Sequence, residues 1–287
     1  DVRILEVGLG GRLDAVNIID PDVALVTTIA IDHIDWLGHT EEAIGREKAG
    51  IFRSARPAVI GDANVPDSLI QAAQDIGAKL CWIGRAFGYE KQAEGWDWIS
   101  DEIELKGLPE PVLKGEHQFR NAAAAVMAVM CLKARLPIED TSIRLGLKTA
   151  QLKGRFQLIP GEKPVLLDVG HNPQAVQTLL NYLQDYFPSV RIHAVFAMMK
   201  DKDIAGVLEL MRARVGHWYL APLTNPRAAN PEAIKAYFKQ QDMSNVDVGY
   251  GDFLEAFDAA RHNALPGELI LIFGSFFLVS EYLSHFS

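Results

Sequence analysis

The sequence predicts an α/β protein of two domains, each built on a mostly parallel sheet with covering helices. Three observations point there. Strand-like and helix-like runs alternate along most of the chain, the pattern of strands joined by crossover helices. A second alternating series begins afresh near Val165. The length of 287 residues suits two domains at roughly 100–200 residues each.

In the first domain, Ile4–Val7 is an apolar strand-like run that ends in Gly8, Gly10 and Gly11. Val23–Ile31 is a β-branched run bounded by Pro21 and Asp32, and Ala58–Ile60 is a short strand. Thr40–Phe52 and Asp67–Ile76 have helical periodicity. Short β-like pieces at Cys81–Ile83, Trp96–Ile99 and Ile103–Leu105 read as an antiparallel extension of the same sheet. The alanine-rich Asn121–Leu136 is a helix stopped near Pro137.

The domain boundary is expected near Gln151–Arg155, giving domains 1–151 and 152–287. Beyond it, Val165–Val169, Ile192–Phe196, Trp218–Ala221, Val246–Gly249 and Leu269–Phe273 read as strands. Pro173–Tyr186, Lys202–Arg214, Pro231–Gln240 and Phe253–Asn263 read as helices between them, with one more after Gly274. This series is similar to a separate Rossmann-like sheet.

Composition excludes several classes. With 49% apolar and 23% charged residues, a core of ordinary size is available, and disorder would need the reverse balance. Net charge is −9 and no dense Lys/Arg run occurs, so no nucleic-acid grip or anionic-membrane footprint is expected. The longest apolar run, Leu269–Val279, is too short to span a bilayer. Cys81 and Cys131 have no metal-ligand spacing and read as buried free thiols of a reducing cytoplasm. The chain opens at Asp1, inside a strand-like run and without an initiator methionine, so a segment is expected upstream.

In an open parallel sheet, ligands gather at the carboxyl ends of the strands. Glu6 stands there after the first strand, and Asp32-His33 after the second. A carboxylate and an imidazole on one rim suit a shared cation, although a helix cap or solvated loop fits the same positions. Lys48 shares a helical face with Ile44, Ile51 and Phe52. Burial favours the neutral amine, which can take up carbon dioxide as a carbamate and become an anionic oxygen ligand. The plainer alternative is a snorkelling lysine or an ion pair with Glu47 or Glu41. Gly8-Leu9-Gly10-Gly11-Arg12 could cradle a phosphate, but it lacks the dinucleotide fingerprint, and no G-x-x-x-x-G-K-[ST] occurs in the 287 residues. In the second domain, Asp168 ends the first strand and His171 follows on the rim; Asn172 and Pro173 suit the N-cap and first position of a helix. Arg155 stands in the interdomain stretch Gly154-Arg155-Phe156.

Taken in order, Glu6-Val7-Gly8-Leu9-Gly10-Gly11-Arg12-Leu13-Asp14, Asp32-His33, Glu47-Lys48-Ala49-Gly50-Ile51, Gly115-Glu116-His117-Gln118 with Asn121-Ala122, Gly154-Arg155-Phe156 and Asp168-Val169-Gly170-His171-Asn172-Pro173 resemble folylpolyglutamate synthase and dihydrofolate synthase of the Mur ligase superfamily. Phe273-Gly274-Ser275 is similar to that family's closing element. The resemblance implies a central nucleotide-binding domain of the Mur ligase type, incomplete at its N-terminus, and a C-terminal glutamate-binding domain. It implies that Glu6 and His33 bind Mg2+ with carbamylated Lys48 at a second metal position. It also implies that Asn121 contacts adenine, that Arg155 and Asp168 contact the nucleotide, and that His171 lies on the glutamate side. The phosphate loop and pterin-holding loops would precede residue 1, so the chain by itself is expected to be inactive.

The implied reaction uses ATP to convert a carboxylate of dihydropteroate or folate into an acyl phosphate, which the α-amine of L-glutamate attacks. Substrates are then small molecules and a monomer is expected. Rival readings are a muropeptide ligase of the cell wall, a nucleotide-binding module without catalysis, and a metal-dependent hydrolase built on Glu6 and His33.

Overall fold

A computed structural model describes residues 2–31 and 34–286. The chain divides into two compact units, Asp1–Ala150 and Gln151–Ser287. Among the described residues no helix is long and apolar enough to cross a membrane.

The first unit holds two sheets. Strands β1 (Ala24–Val26), β2 (Pro57–Ile60) and β3 (Lys79–Trp82) pair in parallel in the order β1-β2-β3. Helices α1 (Ile34–Leu37), α2 (Glu41–Ala49) and α3 (Asp67–Ile76) belong to the connections. Thr40 caps α2 by accepting from the Ala43 amide at 3.2 Å. Glu42 of α2 in turn accepts from the amides of Asp67 and Ser68 at 3.2 and 2.8 Å, supplying the cap that Pro66 cannot give α3. Ile44, Leu69 and Ala73 bury one face of the sheet with Ala24, Val26, Ala58 and Ile60.

Strands β4 (Phe87–Lys91), β5 (Trp96–Ser100) and β6 (Glu104–Leu108) form a separate antiparallel sheet. The expected antiparallel extension is therefore its own sheet, and β3 is instead the parallel edge of the first. Its alternate tryptophans Trp96 and Trp98 point into the core against helix α4 (Glu116–Leu132). Trp98 donates its indole N–H to the Ala123 carbonyl at 3.0 Å, so the ring is buried without stranding a polar group. Helix α5 (Asp140–Thr149) closes this unit.

The strand expected at Ile4–Val7 is not formed. A strand exists only by pairing with a neighbour, and β1-β2-β3 provides residues 2–7 none; Ile4 is 92% exposed. Cys81 and Cys131, expected as separate buried thiols, are half-buried and face each other with sulfurs 3.9 Å apart.

The second unit is a six-stranded sheet in the order β11-β10-β9-β12-β8-β7. Its strands are β7 (Gln157–Ile159), β8 (Val165–Asp168), β9 (Ile192–Phe196), β10 (His217–Leu220), β11 (Val246–Asp247) and β12 (Leu269–Phe273). All pairs are parallel except β7 with β8. Helices α6 (Pro173–Tyr186), α7 (Ile204–Met211) and α8 (Pro231–Gln240) cover one face; α9 (Phe253–Asn263) and α10 (Phe276–Phe286) cover the other. Strands buried on both faces read as unbroken apolar runs, as Leu269–Phe273 does. In register, Phe273 lies between Asp168 and Phe196, which aligns the carboxyl ends of β8, β12 and β9.

At the opposite rim, a cavity of about 370 Å³ is lined by Arg191, His193, His217, Tyr219, Asn263, Leu265 and Glu268. The Asn263 amide donates to the Tyr219 hydroxyl, which donates to His193 Nδ1, each at 3.1 Å. His193 Nε2 then donates to Glu268 at 2.9 Å, which describes a neutral imidazole. Burial holds His193 below its ordinary pKa and outweighs the opposing pull of Glu268. A base with a lowered folded pKa contributes stability above its unfolded value of about 6.5, and the contribution is lost as pH falls. The stability difference between the wild type and His193→Gln is therefore expected to narrow from pH 7.5 to pH 5, at no more than about 1.4 kcal/mol per pH unit. A pH-independent difference in chemical denaturation would contradict this.

Candidate functional site

The carboxyl rim of β8 concentrates the polar side chains of the second unit. Asp168 is 3% exposed, and its carboxyl accepts from the Gly170 amide at 2.8 Å and the Phe156 amide at 3.3 Å. Burial pushes its pKa up to about 6, against the opposing pull of those two amides and of the Arg155 guanidinium.

The same contacts fix the turn that carries Arg155. The Gly154 carbonyl accepts from the Val169 amide at 2.9 Å, and Phe156 donates to Asp168, so the turn is held on both sides of Arg155. Phe156 has φ +45°, a conformation costing on the order of 1 kcal/mol for a bulky residue. Its ring offsets that cost by stacking on Tyr182 at 4.6 Å, nearly parallel.

Arg155 lies over the Phe276 ring at 5.5 Å, and the His171 ring stands 5.8 Å from the same phenylalanine. His171 Nδ1 donates to the Val169 carbonyl at 2.9 Å, which orients the ring. Asn172 accepts from the Ala175 amide at 2.9 Å and caps α6, with Pro173 in the first turn. Gly274 brings Phe276 to the rim: its φ is +106°, and a Cβ would fall 2.6 Å from the Phe196 ring and 2.7 Å from the Ala197 carbonyl. The structure thus gathers Arg155, Asp168 and His171, and it adds Phe276, which sequence reasoning missed. The only signal for Phe276 was its place directly after the closing Phe273-Gly274-Ser275.

The first unit positions the other candidates. Asn121 on α4 donates to the buried Gln118 at 3.4 Å, and Gln118 contacts His117 at 3.0 Å. The neighbouring Arg120 donates to Thr28 at 3.2 Å and pairs with buried Asp62 at 3.4 Å, linking α4 to the ends of β1 and β2. Neither Arg120 nor Asp62 was singled out by the sequence.

The glycine-rich segment is held against the end of α2. Arg12 donates its amide to the Glu47 carbonyl at 2.9 Å and grips the Glu47 carboxylate at 3.0 and 3.1 Å. Gly11 approaches so closely that a Cβ would lie 2.8 Å from the Glu47 carbonyl and 3.1 Å from that of Lys48. Lys48 is half-buried, while Ile44 and Phe52 on its face are buried. The turn does not serve as a phosphate cradle, because Asp14 fills it: its carboxylate accepts from Gly8 and Leu9 at 3.0 and 3.1 Å and from Val16 at 3.0 Å. Those amides, Val16 first, hold Asp14 below the usual carboxylate range. Glu6 is exposed at the start of the segment. His33 lies outside the described residues. Among the described residues no group of three His, Cys, Asp or Glu is placed to hold a metal.

Two outcomes follow from the rim. Asp168 should titrate with a midpoint near 6 by carboxyl NMR; a midpoint near 4 would remove the burial argument. An acid with a raised folded pKa costs stability as pH rises through that interval, on the order of 3 kcal/mol at neutral pH. The wild type should therefore lose ground to Asp168→Asn between about pH 4 and pH 7. Gly274→Ala should destabilise by about 2 kcal/mol or more, because both the dihedral and the space exclude a side chain; a melting temperature equal to wild type would refute it.

Comparisons with known proteins accord with this architecture. Residues 1–129 match the Mur ligase middle domain, and residues 154–276 match the Mur ligase glutamate ligase domain. Proteins named dihydrofolate synthase/folylpolyglutamate synthase are 40% identical over 281 residues in Escherichia coli and 36% over 288 residues in Buchnera aphidicola of Acyrthosiphon pisum. The alignments cover 98% and 99% of this chain, which spans 64% and 67% of those relatives' lengths. An Escherichia coli structure in complex with DHPP and ADP superposes with a TM-score of 0.89 at 39% identity, covering 97% of this chain and 64% of that one. A second bifunctional synthase structure, with Mn, AMPPNP and L-glutamate bound, gives a TM-score of 0.86 at 39% identity, covering 97% and 65%. The chain belongs to the dihydrofolate synthase/folylpolyglutamate synthase family of Mur ligases.

Proposed function

We propose that the protein takes part in ATP-dependent ligation of L-glutamate to dihydropteroate, to reduced folates, or to both, acting as a cytoplasmic monomer on small-molecule substrates. The rim of Arg155, Asp168, His171 and Phe276 is the observation that carries this reading. It places a guanidinium, an imidazole, a carboxyl that titrates near neutrality and an exposed aromatic ring together in a glutamate ligase domain.

A carboxylate does not condense with an amine in water without activation. In the proposed reaction the γ-phosphoryl group of ATP moves to the acceptor carboxylate, forming an acyl phosphate and ADP. The uncharged α-amine of L-glutamate attacks the acyl carbon, and the tetrahedral intermediate collapses with release of phosphate. Arg155 contributes its cation to the nucleotide phosphates, held in place by the pinned turn. Asp168 fixes that turn and offers its carboxyl to the nucleotide. His171, oriented by its bond to the Val169 carbonyl, is assigned to the glutamate side. Asn121, oriented by Gln118, is assigned to adenine.

Mg2+ is assigned to Glu6, His33 and Lys48. The donor chemistry fits a hard cation when Lys48 carries a carbamate, since a carbamate supplies oxygen where the amine supplies positive charge. The clamp of Gly11 and Arg12 onto the last turn of α2 holds the glycine-rich run that follows Glu6 against the end of the helix that carries Lys48. A bound cation would neutralise charge on the phosphates and on the transferring group.

The test is ATP-dependent incorporation of labelled L-glutamate into dihydropteroate and into tetrahydrofolate by the complete gene product. Incorporation into either supports the reading and names the acceptor. Incorporation into neither, in a protein that binds ATP, favours a muropeptide ligase or a nucleotide-binding module without catalysis. Lys48→Ala is expected to lower turnover about 100-fold or more, with partial rescue by acetate or bicarbonate. Full activity in Lys48→Ala would exclude the carbamate.

A further inference from the structure

Cys81 on β3 and Cys131 near the end of α4 are 50 positions apart in sequence, yet their sulfurs are 3.9 Å apart. Both are free thiols and both are half-buried, so a small solute can reach them while the surrounding packing holds them opposed. Cys81 is in register with Val59 of the central strand, and its own strand β3 forms the edge of the sheet. Cys131 packs with Cys81 at the margin of the cluster formed by Val59, Ala123, Ala124 and Val126. The sulfurs need to close to about 2.05 Å to bond, an approach that side-chain rotation at a sheet edge can supply.

We propose that Cys81 and Cys131 form a two-thiol oxidation site that a hydroperoxide converts into a disulfide stapling β3 to α4. The two sulfurs are within hydrogen-bonding distance of each other, and the Cys81 thiol also lies 3.8 Å from the Lys79 carbonyl. Either sulfur, as its thiolate, can attack first, and the other then resolves. The attacking sulfur cleaves the O–O bond and becomes a sulfenic acid, and the other peroxide oxygen leaves as an alcohol or water after taking a proton. The second sulfur then attacks the sulfenic sulfur, forming the S–S bond and releasing water. Two electrons pass from the two thiols to the peroxide. The bond closes a long loop, so it restricts the unfolded chain and raises resistance to heat.

The experiment treats the reduced protein with hydrogen peroxide, blocks remaining thiols by alkylation, and maps the peptides without reduction. The expected result is one intramolecular Cys81–Cys131 peptide that a dithiol reverses, together with a melting temperature several degrees above that of the reduced protein. In Cys131→Ala, dimedone should trap a sulfenic acid on Cys81, and peroxide should not raise the melting temperature. Thiols that stay alkylatable, irreversible oxidation of Cys81 without a cross-link, or a cross-link only between molecules would overturn the proposal.

Discussion

The buried carboxyl of Asp168 is the constraint on which the second unit's rim depends. It ends β8 at the point where the chain must turn into α6, and it reaches back to the Phe156 amide while accepting from Gly170. One side chain therefore joins the entry turn, strand β8 and the start of α6. The cost is a carboxyl held where its charge is disfavoured. The return is a fixed position for Arg155, whose backbone is gripped on either side, and for His171, three residues along the same loop. A structural cap alone would not require burying a charge, since Asn172 already caps α6.

Most of the second unit was legible because its strands are buried on both faces. Ile192–Phe196 and Leu269–Phe273 are unbroken apolar runs, and Asn172-Pro173 and Asp252 signal helix starts by local chemistry. The first unit was less legible where pairing rather than pattern decides. Phe87–Lys91 contains Gly88, Glu90 and Lys91 and carries no strand pattern; it is a strand because Trp96–Ser100 lies alongside it. Ile4–Val7 has the pattern without the partner, so it forms no strand. The antiparallel pieces were read as an extension of the first sheet yet form their own, because pairing between strands is a tertiary property that alternation does not encode.

The site divides in the same way. Residues fixed by the chain's own turns, such as Asp168 and His171, stand out by position after a strand. Phe276 and the Arg120–Asp62 pair do not, since their neighbours come from distant parts of the sequence. The glycine run shows the converse error. Its composition suggests a phosphate cradle, but Asp14, only six residues beyond Gly8, reaches back to take its amides. The nearby acidic residue was visible; that its carboxylate occupies the turn depends on backbone geometry.

The two rims of the six-stranded sheet differ in how completely their polar groups are paired. At the His193 rim every strong donor in the chain from Asn263 through Tyr219 and His193 to Glu268 finds an acceptor, and the imidazole is neutral. Such a network is closed: binding a polar ligand there would break as many hydrogen bonds as it made. At the Asp168 rim the parallel strands deliver their carboxyl ends together, and both α6 and α10 begin there, so the partial positive charge of two helix starts faces the same edge. The Arg155 cation rests on the face of an exposed aromatic ring, beside the buried Asp168 carboxyl, in a chain of net charge −9. An anionic ligand gains most where the local field opposes the global one.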